Sequence, residues 1–361
     1  MIQTLIEQLE AEHILPFEDL IRLLTEADDD DRAFLFQRAR AVTDRYYGHD
    51  IYTRGLIEFT NYCKNDCLYC GIRRSNRHVE RYRLSEDDIL ACCREGRKLG
   101  FSTFVLQGGE DPFYTRERMC HIVSAIREHF PECAITLSIG EKSYDDYLAY
   151  YKAGANRYLL RHETADELHY AKLHPPELSL KNRMRCLYDL KAIGYQTGTG
   201  FMVGSPGQTP QTLAKDLLFI HKLQPEMIGI GPFIAHHDTP FKDCANGTLD
   251  ITIFLIAVLR LIRPNALIPA TTALGTIHPD GRKMGVLAGA NVVMPNLSPL
   301  NVRHQYTLYD NKIYMDAEAA ESRSRLKEEM ASIGYRVTDA RGDMKPLQAA
   351  SNASEGGNYE S

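Results

Sequence analysis

The stretch "LIEFTNYCKNDCLYCGIRR", residues 56–74, joins a short apolar run to three closely spaced cysteines. Leu56–Thr60 is rich in residues that favour β-strands, and Cys63, Cys67 and Cys70 follow it directly. In parallel α/β sheets, the functional residues lie beyond the carboxyl ends of the strands. The stretch therefore predicts a first strand with a thiol-rich site at its carboxyl end.

Strand-like and helix-like segments alternate after this point. The strand-like segments are Leu56–Thr60, Thr103–Gln107, Ala134–Ser138, Arg157–Arg161, Gln196–Met202, Met227–Gly231, Ala266–Ala270 and Asn291–Met294. Helical periodicity marks Glu86–Leu99, Arg116–Phe130, Ser143–Ala153, Lys181–Ile193, Pro210–Leu223, Leu249–Arg263 and Gly281–Ala288. This alternation is typical of βαβ units and a parallel sheet. It predicts an α/β fold, a complete (β/α)8 TIM-type barrel, with an open doubly wound sheet as the alternative.

The pattern divides the chain into three regions. Residues 1–50 carry helical periodicity and are predicted to be N-terminal helices that pack on the barrel. Residues 51–335 form the predicted barrel, and residues 336–361 form a C-terminal extension. Its end, "QAASNASEGGNYES", is small, polar and rich in Gly and Ser, so we expect disorder there.

Charge and hydropathy exclude several classes of protein. The net charge is −6, which gives no sign of a nucleic-acid or membrane partner. No apolar run reaches the roughly 20 residues of a membrane-spanning helix, and the acidic N-terminus lacks the basic region of a signal peptide. We therefore expect a soluble cytoplasmic protein. The basic run at residues 73–83 is interpreted as a solvated loop, with an anionic partner as the alternative.

Nine cysteines, an odd number with three of them clustered, indicate a reducing compartment and metal chemistry. Soft thiolates select zinc, copper or iron–sulfur clusters. A structural zinc site normally takes four ligands, whereas three thiolates on a 4Fe–4S cluster leave one iron open. The triad therefore favours a 4Fe–4S cluster with an open iron over zinc with a distant fourth ligand. The other six are predicted to pack as small apolar residues: Cys92, Cys93, Cys120, Cys133, Cys186 and Cys244.

Polar motifs follow several other predicted strands. "VLQGGEDP", residues 105–112, contains two glycines that allow close approach of a ligand, and a plain turn is the alternative. Arg161 and Glu163 in "RYLLRHETA" alternate so that both can face the barrel mouth; a surface ion pair is the alternative. His236 and His237 are interpreted as solvent-facing loop residues. Together these motifs predict a polar site at the carboxyl ends of the strands.

The spacing of the cysteine triad, with the aromatic Tyr69 before the last cysteine, resembles the radical S-adenosylmethionine (SAM) superfamily. The resemblance implies that the triad ligates one 4Fe–4S cluster. It also implies that SAM binds the open iron through its methionine amino and carboxylate groups, and that reductive cleavage yields a 5′-deoxyadenosyl radical. "GGE", residues 108–110, resembles the family element that holds the methionine amino group.

Eight motifs in order, spanning about residues 10–335, resemble a family within it: the maturases of the FeFe-hydrogenase H-cluster. The resemblance implies a complete (β/α)8 barrel with the cluster at one end of an internal cavity. The implied cofactor-binding residues are Tyr69, Gly108, Gly109, Glu110, Ser138, Glu163, Arg183, Met202 and Ile230. The implied substrate-cavity and catalytic residues are Gln107, Thr136, Arg161, Thr271, Thr272, Met294 and Tyr306.

The same resemblance implies the reaction and the partners. A small organometallic substrate, an iron–dicarbonyl–cyanide–cysteine complex, is delivered by HydG, and the radical attacks its cysteine sulfur. The product passes toward the scaffold HydF, and a reduced electron donor supplies the electron. The alternatives are a mutase similar to methylornithine synthase, sulfur insertion similar to biotin synthase, and a passive iron–sulfur carrier.

Two departures from the family pattern affect these expectations. Some relatives carry a second cluster near the C-terminal end of the barrel, but this chain has no cysteine after Cys244. We therefore expect no second cluster. The family often has Ser where this chain has Gly108, which changes the wall of the implied substrate site.

Overall fold

The computed structural model describes residues 1–313 and 319–347. It begins with three helices, α1 (Ile2–Glu12), α2 (Phe17–Glu26) and α3 (Asp29–Tyr47). The Asp28 side chain accepts a hydrogen bond from the Asp31 backbone N–H (2.9 Å), which satisfies one of the free donors at the start of α3. These helices pack on α10 (Leu249–Ile262) and α9 (Pro210–Leu223), which belong to the barrel.

The strands are short and all their pairings are parallel. They are β1 (Asp50–Thr53), β2 (Gly55–Thr60), β3 (Thr103–Gly108), β4 (Ala134–Ser138), β5 (Arg157–Leu159), β6 (Gln196–Thr199), β7 (Met202–Val203), β8 (Met227–Ile228), β9 (Gly231–Pro232), β10 (Val292–Val293) and β11 (Arg336–Thr338). The main sheet has six strands in the order β2-β3-β4-β5-β6-β8. From β3 onward each strand of this sheet follows a helix, as the alternation in the sequence predicts.

The sheet closes on itself through backbone bridges. Leu267 bridges to β8, Pro269 bridges to β10, and Asn296 bridges to Leu56 in β2. The Leu297 N–H donates to the Leu56 carbonyl (2.7 Å). The closed barrel predicted from the sequence is confirmed by this closure. The predicted seventh strand, residues 266–270, contributes only isolated bridges and forms no continuous strand.

Helices surround the barrel. The remaining ones are α4 (Glu86–Lys98), α5 (Arg116–His129), α6 (Tyr144–Ala153), α7 (Glu167–Leu173), α8 (Leu180–Ile193), α11 (Thr272–Ile277), α12 (Gly281–Leu287), α13 (Leu300–Arg303) and α14 (Ala319–Ala331). The seven predicted helical segments all correspond to helices here. Helices α7, α11 and α13 were not predicted, because one or two turns are too short to show a hydrophobic period.

The amino end of the barrel is covered by the last described residues. β11 pairs with β1, and the segment after it reaches Arg157, which is fully buried. The Arg157 guanidinium donates to the Gly342 carbonyl (3.0 Å) and to Asp343 Oδ1 (2.7 Å). The predicted domain boundaries stay a prediction, and the tail expected to be disordered, residues 348–361, lies outside the described residues.

Strand alternation separates the packing core from the interior of the barrel. Ile57 and Phe59 of β2 are buried in the layer between the sheet and the helices, whereas Leu56 and Glu58 line the central cavity. A polar interior and an apolar outer layer therefore follow from one alternating strand. None of the helices in the described ranges has the length and apolar character that a bilayer crossing requires.

Candidate active site

A cavity of about 310 Å³ opens among the carboxyl ends of the strands. Thirteen of the residues singled out from the sequence line it: Tyr69, Cys70, Gln107, Gly108, Ser138, Arg161, Glu163, Arg183, Met202, Thr271, Thr272, Met294 and Tyr306. They come from loops and strands around the whole barrel, which explains how distant motifs meet in one place. Six others do not line it: Thr136 is buried on β4, Ile230 packs in the apolar core, and Cys63, Cys67, Gly109 and Glu110 belong to the triad loop and the turn against it.

Two charged residues of the cavity wall, Glu58 and Lys312, were not predicted from the sequence. The Lys312 ammonium contacts Glu58 Oε1 (2.5 Å), and the Asn296 amide donates to Glu58 Oε2 (2.8 Å). Lys312 also donates to the Tyr306 carbonyl (2.9 Å). Glu58 could have been predicted to face the interior of the barrel, because it alternates with apolar residues in the first predicted strand. Lys312 carried no such signal, because its partner is remote in sequence.

The cysteine triad lies in the loop after β2, and all three thiols are half-buried and free of disulfides. Burial raises the pKa of all three thiols, to about 12 for Cys70. Buried thiolates at one site therefore need a cationic partner. Three soft thiols converge from this one loop, and thiolates of this kind are ligands of iron–sulfur clusters.

Arginines of the basic run hold the triad loop in place. The Arg81 guanidinium donates to the carbonyls of Ile72 (2.8 Å), Arg73 (2.7 Å) and Asn76 (3.0 Å). The Arg73 guanidinium donates to Asp66 Oδ1 (2.7 Å), between two of the cysteines. The interpretation of this run as a solvated loop is therefore wrong for Arg73 and Arg81, whose side chains stabilise the loop through internal hydrogen bonds.

The two glycines and Glu110 form a tight turn against the triad loop. A Cβ on Gly109 would lie 2.2 Å from the Tyr62 carbonyl oxygen, so only glycine fits there. The Glu110 carboxylate accepts a hydrogen bond from the Glu141 N–H (2.9 Å) and pairs with Lys64 (3.2 Å). Gly140 has φ +77° and leaves the space that the Glu110 side chain occupies. The turn thus fixes one buried carboxylate beside Cys63.

Glu163 projects into the cavity from a strained backbone. It has φ +66°, a region that non-glycine residues rarely adopt, and its N–H donates to the Gly200 carbonyl (3.0 Å). Burial raises the pKa of its carboxyl, and Oε2 has no hydrogen-bond partner within the described part of the chain. Residues with rare backbone angles of this kind are found mostly at functional sites. Glu163 is therefore placed for a ligand rather than for packing.

A second polar group of the cavity wall also lacks a partner. The Thr271 hydroxyl oxygen is buried and unpaired among the described residues, as is that of Thr136 on β4, outside the cavity wall. Arg183, in contrast, is fixed: it pairs with Glu141 (2.5 Å) and donates to the Arg161 carbonyl (2.8 Å). Buried polar atoms normally have hydrogen-bond partners. The unpaired Glu163 and Thr271 oxygens fit a cavity that holds a polar ligand.

His236 and His237 lie beside the triad loop with Asp310, and their ligand-type atoms come within 4.8 Å of one another. His236 is buried, so the interpretation of both histidines as solvent-facing is wrong for this one. Its Nδ1 accepts the Asp238 N–H (3.1 Å), which puts the ring proton on Nε2, the nitrogen nearer Asp310. That nitrogen has no lone pair to give a metal, so the group is a hydrogen-bonded cluster.

Comparison with known proteins agrees with this geometry. Residues 57–220 match the Radical SAM superfamily family model. The [FeFe] hydrogenase maturase subunit HydE of Thermotoga maritima is 45% identical over 286 residues, which cover 78% of this chain and 81% of that protein. The 3-methylornithine synthase of Methanosarcina acetivorans is 31% identical over 76% of this chain and 78% of its own length.

Solved structures show the same architecture. A crystal structure of methylornithine synthase (PylB) superposes with a TM-score of 0.80 and 27% identity, covering 92% of this chain and 97% of that one. The hydrogenase maturase HydG superposes with a TM-score of 0.81 at 19% identity, covering 94% of this chain and 76% of that one, which is a likeness of fold alone. Both sequence and fold therefore place the chain among the same group of barrels.

Proposed function

Because the chain belongs to the radical SAM superfamily, we propose that it is a HydE-type maturase that acts in assembly of the H-cluster of an [FeFe] hydrogenase. The single observation that carries this choice is the 45% identity to HydE over 81% of that protein. The other named relatives are more distant, at 31% for the methylornithine synthase. The free thiol triad and the polar cavity beside it support the same assignment.

The residues at one end of the cavity suit a 4Fe–4S cluster and SAM. Cys63, Cys67 and Cys70 would each hold one iron, and the cluster, when bound, supplies the electron for reductive cleavage of SAM. Glu110 is fixed beside the triad by its bond to the Glu141 N–H, so it can accept a hydrogen bond from an amino group. Glu163, which lies beyond the end of β5, offers its unpaired Oε2 to the same cavity.

Two other polar residues of the cavity wall suit an anionic organometallic substrate. Arg161 lines the cavity, and its charge lowers the pKa of the neighbouring Glu163 carboxyl, against the effect of burial. The Thr271 hydroxyl lies on the same wall without a partner among the described residues. A guanidinium and a hydroxyl together can bind cyanide and carboxylate groups. The proposed reaction is attack of the 5′-deoxyadenosyl radical on the cysteine sulfur of an iron–dicarbonyl–cyanide–cysteine complex.

The proposal also includes the partner proteins and the number of iron–sulfur clusters in the chain. HydG is proposed to deliver the complex, the product is proposed to pass to HydF, and an external donor provides electrons. We propose one cluster per chain, because the chain has no cysteine after Cys244 that could hold a second cluster near the C-terminal end of the barrel. Iron and sulfide analysis after anaerobic reconstitution tests this count. About eight irons per chain would contradict it.

The deciding experiment is in vitro hydrogenase maturation with and without this protein. Anaerobically reconstituted protein with SAM and dithionite is expected to release 5′-deoxyadenosine, and absence of that product would remove the enzyme assignment. Hydrogenase apoprotein mixed with the remaining maturation components is expected to become active only when the wild-type protein is added. Full activation without it would exclude the maturase role while leaving the radical SAM chemistry intact.

A second candidate is a mutase of the methylornithine synthase type. The 31% identity to methylornithine synthase over 76% of the chain supports this candidate. Formation of 3-methylornithine together with failure of hydrogenase activation would select it. Sulfur insertion similar to biotin synthase requires a second, sacrificial cluster, so the same measurement of iron per chain tests that alternative.

A further inference from the structure

A hydrogen bond joins the triad loop to the residue that follows α7. The Tyr69 hydroxyl lies 3.3 Å from His174 Nε2, and the two rings meet edge to face at 5.5 Å. Tyr69 lies between the second and third cysteines and lines the cavity. His174 itself is 2% exposed and does not line the cavity. The histidine therefore reaches the site only through the tyrosine.

The direction of this bond follows from the other ring nitrogen. His174 Nδ1 lies 3.0 Å from the Tyr170 carbonyl oxygen, which only accepts, so Nδ1 carries the ring proton. Nε2 is then the acceptor, and the Tyr69 hydroxyl donates to it. Burial, with the nearby Arg183 charge, lowers the pKa of His174 to about 3. The ring therefore stays neutral and keeps one tautomer across the physiological range.

Helix α7 holds the histidine rigidly against the triad loop. The Tyr170 ring stacks on His174 with centroids 3.9 Å apart and an interplanar angle of 20°. The Leu68 N–H donates to the Leu173 carbonyl (3.0 Å), which ties the backbone before Tyr69 to the end of α7. The backbone before Tyr69 and the hydroxyl at the tip of its side chain are thus hydrogen-bonded to neighbouring residues, Leu173 and His174.

We propose that His174 is a positioning residue for the SAM site, which acts by holding the Tyr69 ring in the orientation that receives SAM. The inference rests on the proposed function, because Tyr69 is implied to contact SAM. A neutral hydrogen bond to a fixed acceptor restricts rotation of the phenol at little cost in desolvation, since His174 is already buried and Tyr69 is half-buried. Without this hydrogen bond, the Tyr69 ring can rotate away from the cavity wall.

The test measures SAM affinity rather than turnover. Isothermal titration calorimetry on anaerobically reconstituted protein is applied to wild type, Tyr69→Phe, His174→Phe and the double variant, each with its iron content measured. Each single variant is expected to raise the Kd of SAM by about two- to tenfold, the range of one neutral hydrogen bond. The double variant is expected to lose no more than the weaker-binding single variant, because both remove the same contact.

Two further variants separate positioning from general stability. His174→Gln can still accept from the Tyr69 hydroxyl, so it is expected to restore the SAM Kd to within about twofold of wild type. Tyr195→Phe removes a buried phenol bond to the Tyr147 carbonyl (2.7 Å) away from the triad, and it is expected to leave the SAM Kd unchanged.

The electron paramagnetic resonance signal of the reduced cluster gives a second readout. Its change on SAM addition is expected to be altered in His174→Phe and normal in His174→Gln. Equal SAM affinity and equal spectra in all variants would overturn the positioning role, as would additive losses in the double variant. Failure of the wild-type protein to bind SAM would instead reject the proposed function, so the two failures are distinguishable.

Discussion

At the scale of single residues, the site depends on positions where geometry leaves little choice. Glu163 keeps a left-handed backbone, and Gly140 leaves room for the Glu110 carboxylate. Such constraints are maintained because the surrounding structure over-determines them. Small substitutions here are therefore expected to change ligand binding more than they change the fold.

Replacing Cys63, Cys67 or Cys70 with Ala is expected to abolish the cluster, because two remaining thiolates cannot hold it with one open iron. Iron and sulfide content and the visible absorption of the reconstituted protein check this. Cys120→Ser is the matched control: this thiol is also half-buried, but it lies on α5. Loss of the cluster in the control, with the fold intact, would contradict the packing role of Cys120.

Replacing Gly140 with Ala is expected to raise the Kd of SAM by about tenfold or more, which corresponds to about 1.4 kcal/mol. The new Cβ would lie 2.1 Å from Glu110 Oε1 and would push that side chain away. Gly48→Ala is the control, because Gly48 also has positive φ (+58°) but has nothing within 4 Å of a Cβ.

Both variants of this pair are expected to lose about 1 kcal/mol of stability to backbone strain. Urea unfolding measures that loss, and calorimetry of SAM binding measures the affinity. An equal effect of both substitutions on SAM affinity would show that strain, rather than displacement of Glu110, is responsible.

At the scale of elements, the last described segment is joined to β5 by a buried charge. The Arg157 guanidinium is fully buried, and Asp343 is its anionic partner at 2.7 Å. Burial works against ionisation of Asp343, but hydrogen bonds from Arg157 and Gln196 lower the pKa of that carboxyl below its usual value. The pair therefore stabilises the cover over the amino end of the barrel when the carboxyl is ionised.

Replacing Asp343 with Asn is expected to reduce the free energy of unfolding by about 1–2 kcal/mol at pH 7. Breaking a buried pair costs more than this, but Asp343 is partly exposed and the effect is screened. Because the pKa of Asp343 is lowered in the folded state, the stabilisation is present above the usual carboxyl pKa of about 4 and is lost as the pH falls below it.

Urea unfolding of wild type and Asp343→Asn at pH 7 and at pH 3 checks this dependence. The difference between the two proteins is expected at pH 7 and should shrink at pH 3. The control Asp280→Asn removes an exposed pair with Lys283 and is expected to change stability little at either pH. A constant difference at both pH values would contradict the ionic origin.

At the scale of the whole molecule, the barrel closes through backbone bonds that do not involve the triad loop. Closure runs through Leu56 and the strands on either side, and the apolar layer packs outside them. The fold is therefore expected to form without the cluster, and the site to be completed afterwards by its ligands.

SAM at about 100 times its Kd is expected to add about 2.7 kcal/mol to the free energy of unfolding of the reconstituted protein. Thermal unfolding followed by circular dichroism measures this. A Cys63→Ala protein is expected to keep its helical signal and to show no stabilisation by SAM. Equal stabilisation of that variant would place the SAM site away from the triad.

The sequence by itself determined the order of strands and helices, the position of the triad after the first strand and the membership of the superfamily. These features are local: alternation, helical period and cysteine spacing are all read within short windows. The closed barrel followed, because eight βα units have few ways to bury their strands. The placement of most of the predicted side chains at one cavity also follows from the carboxyl ends of parallel strands.

Only the tertiary structure decided which side chains meet across the chain. Tyr69 and His174 are 105 positions apart, and Glu58 and Lys312 are 254 positions apart. No local sequence pattern encodes such pairs, because they depend on how the barrel closes and on where short helices such as α7 pack against it. The same reason applies to Arg73 and Arg81: their charge is visible in the sequence, but the carbonyls and carboxylate that bind them are assembled only when the loop folds back on itself.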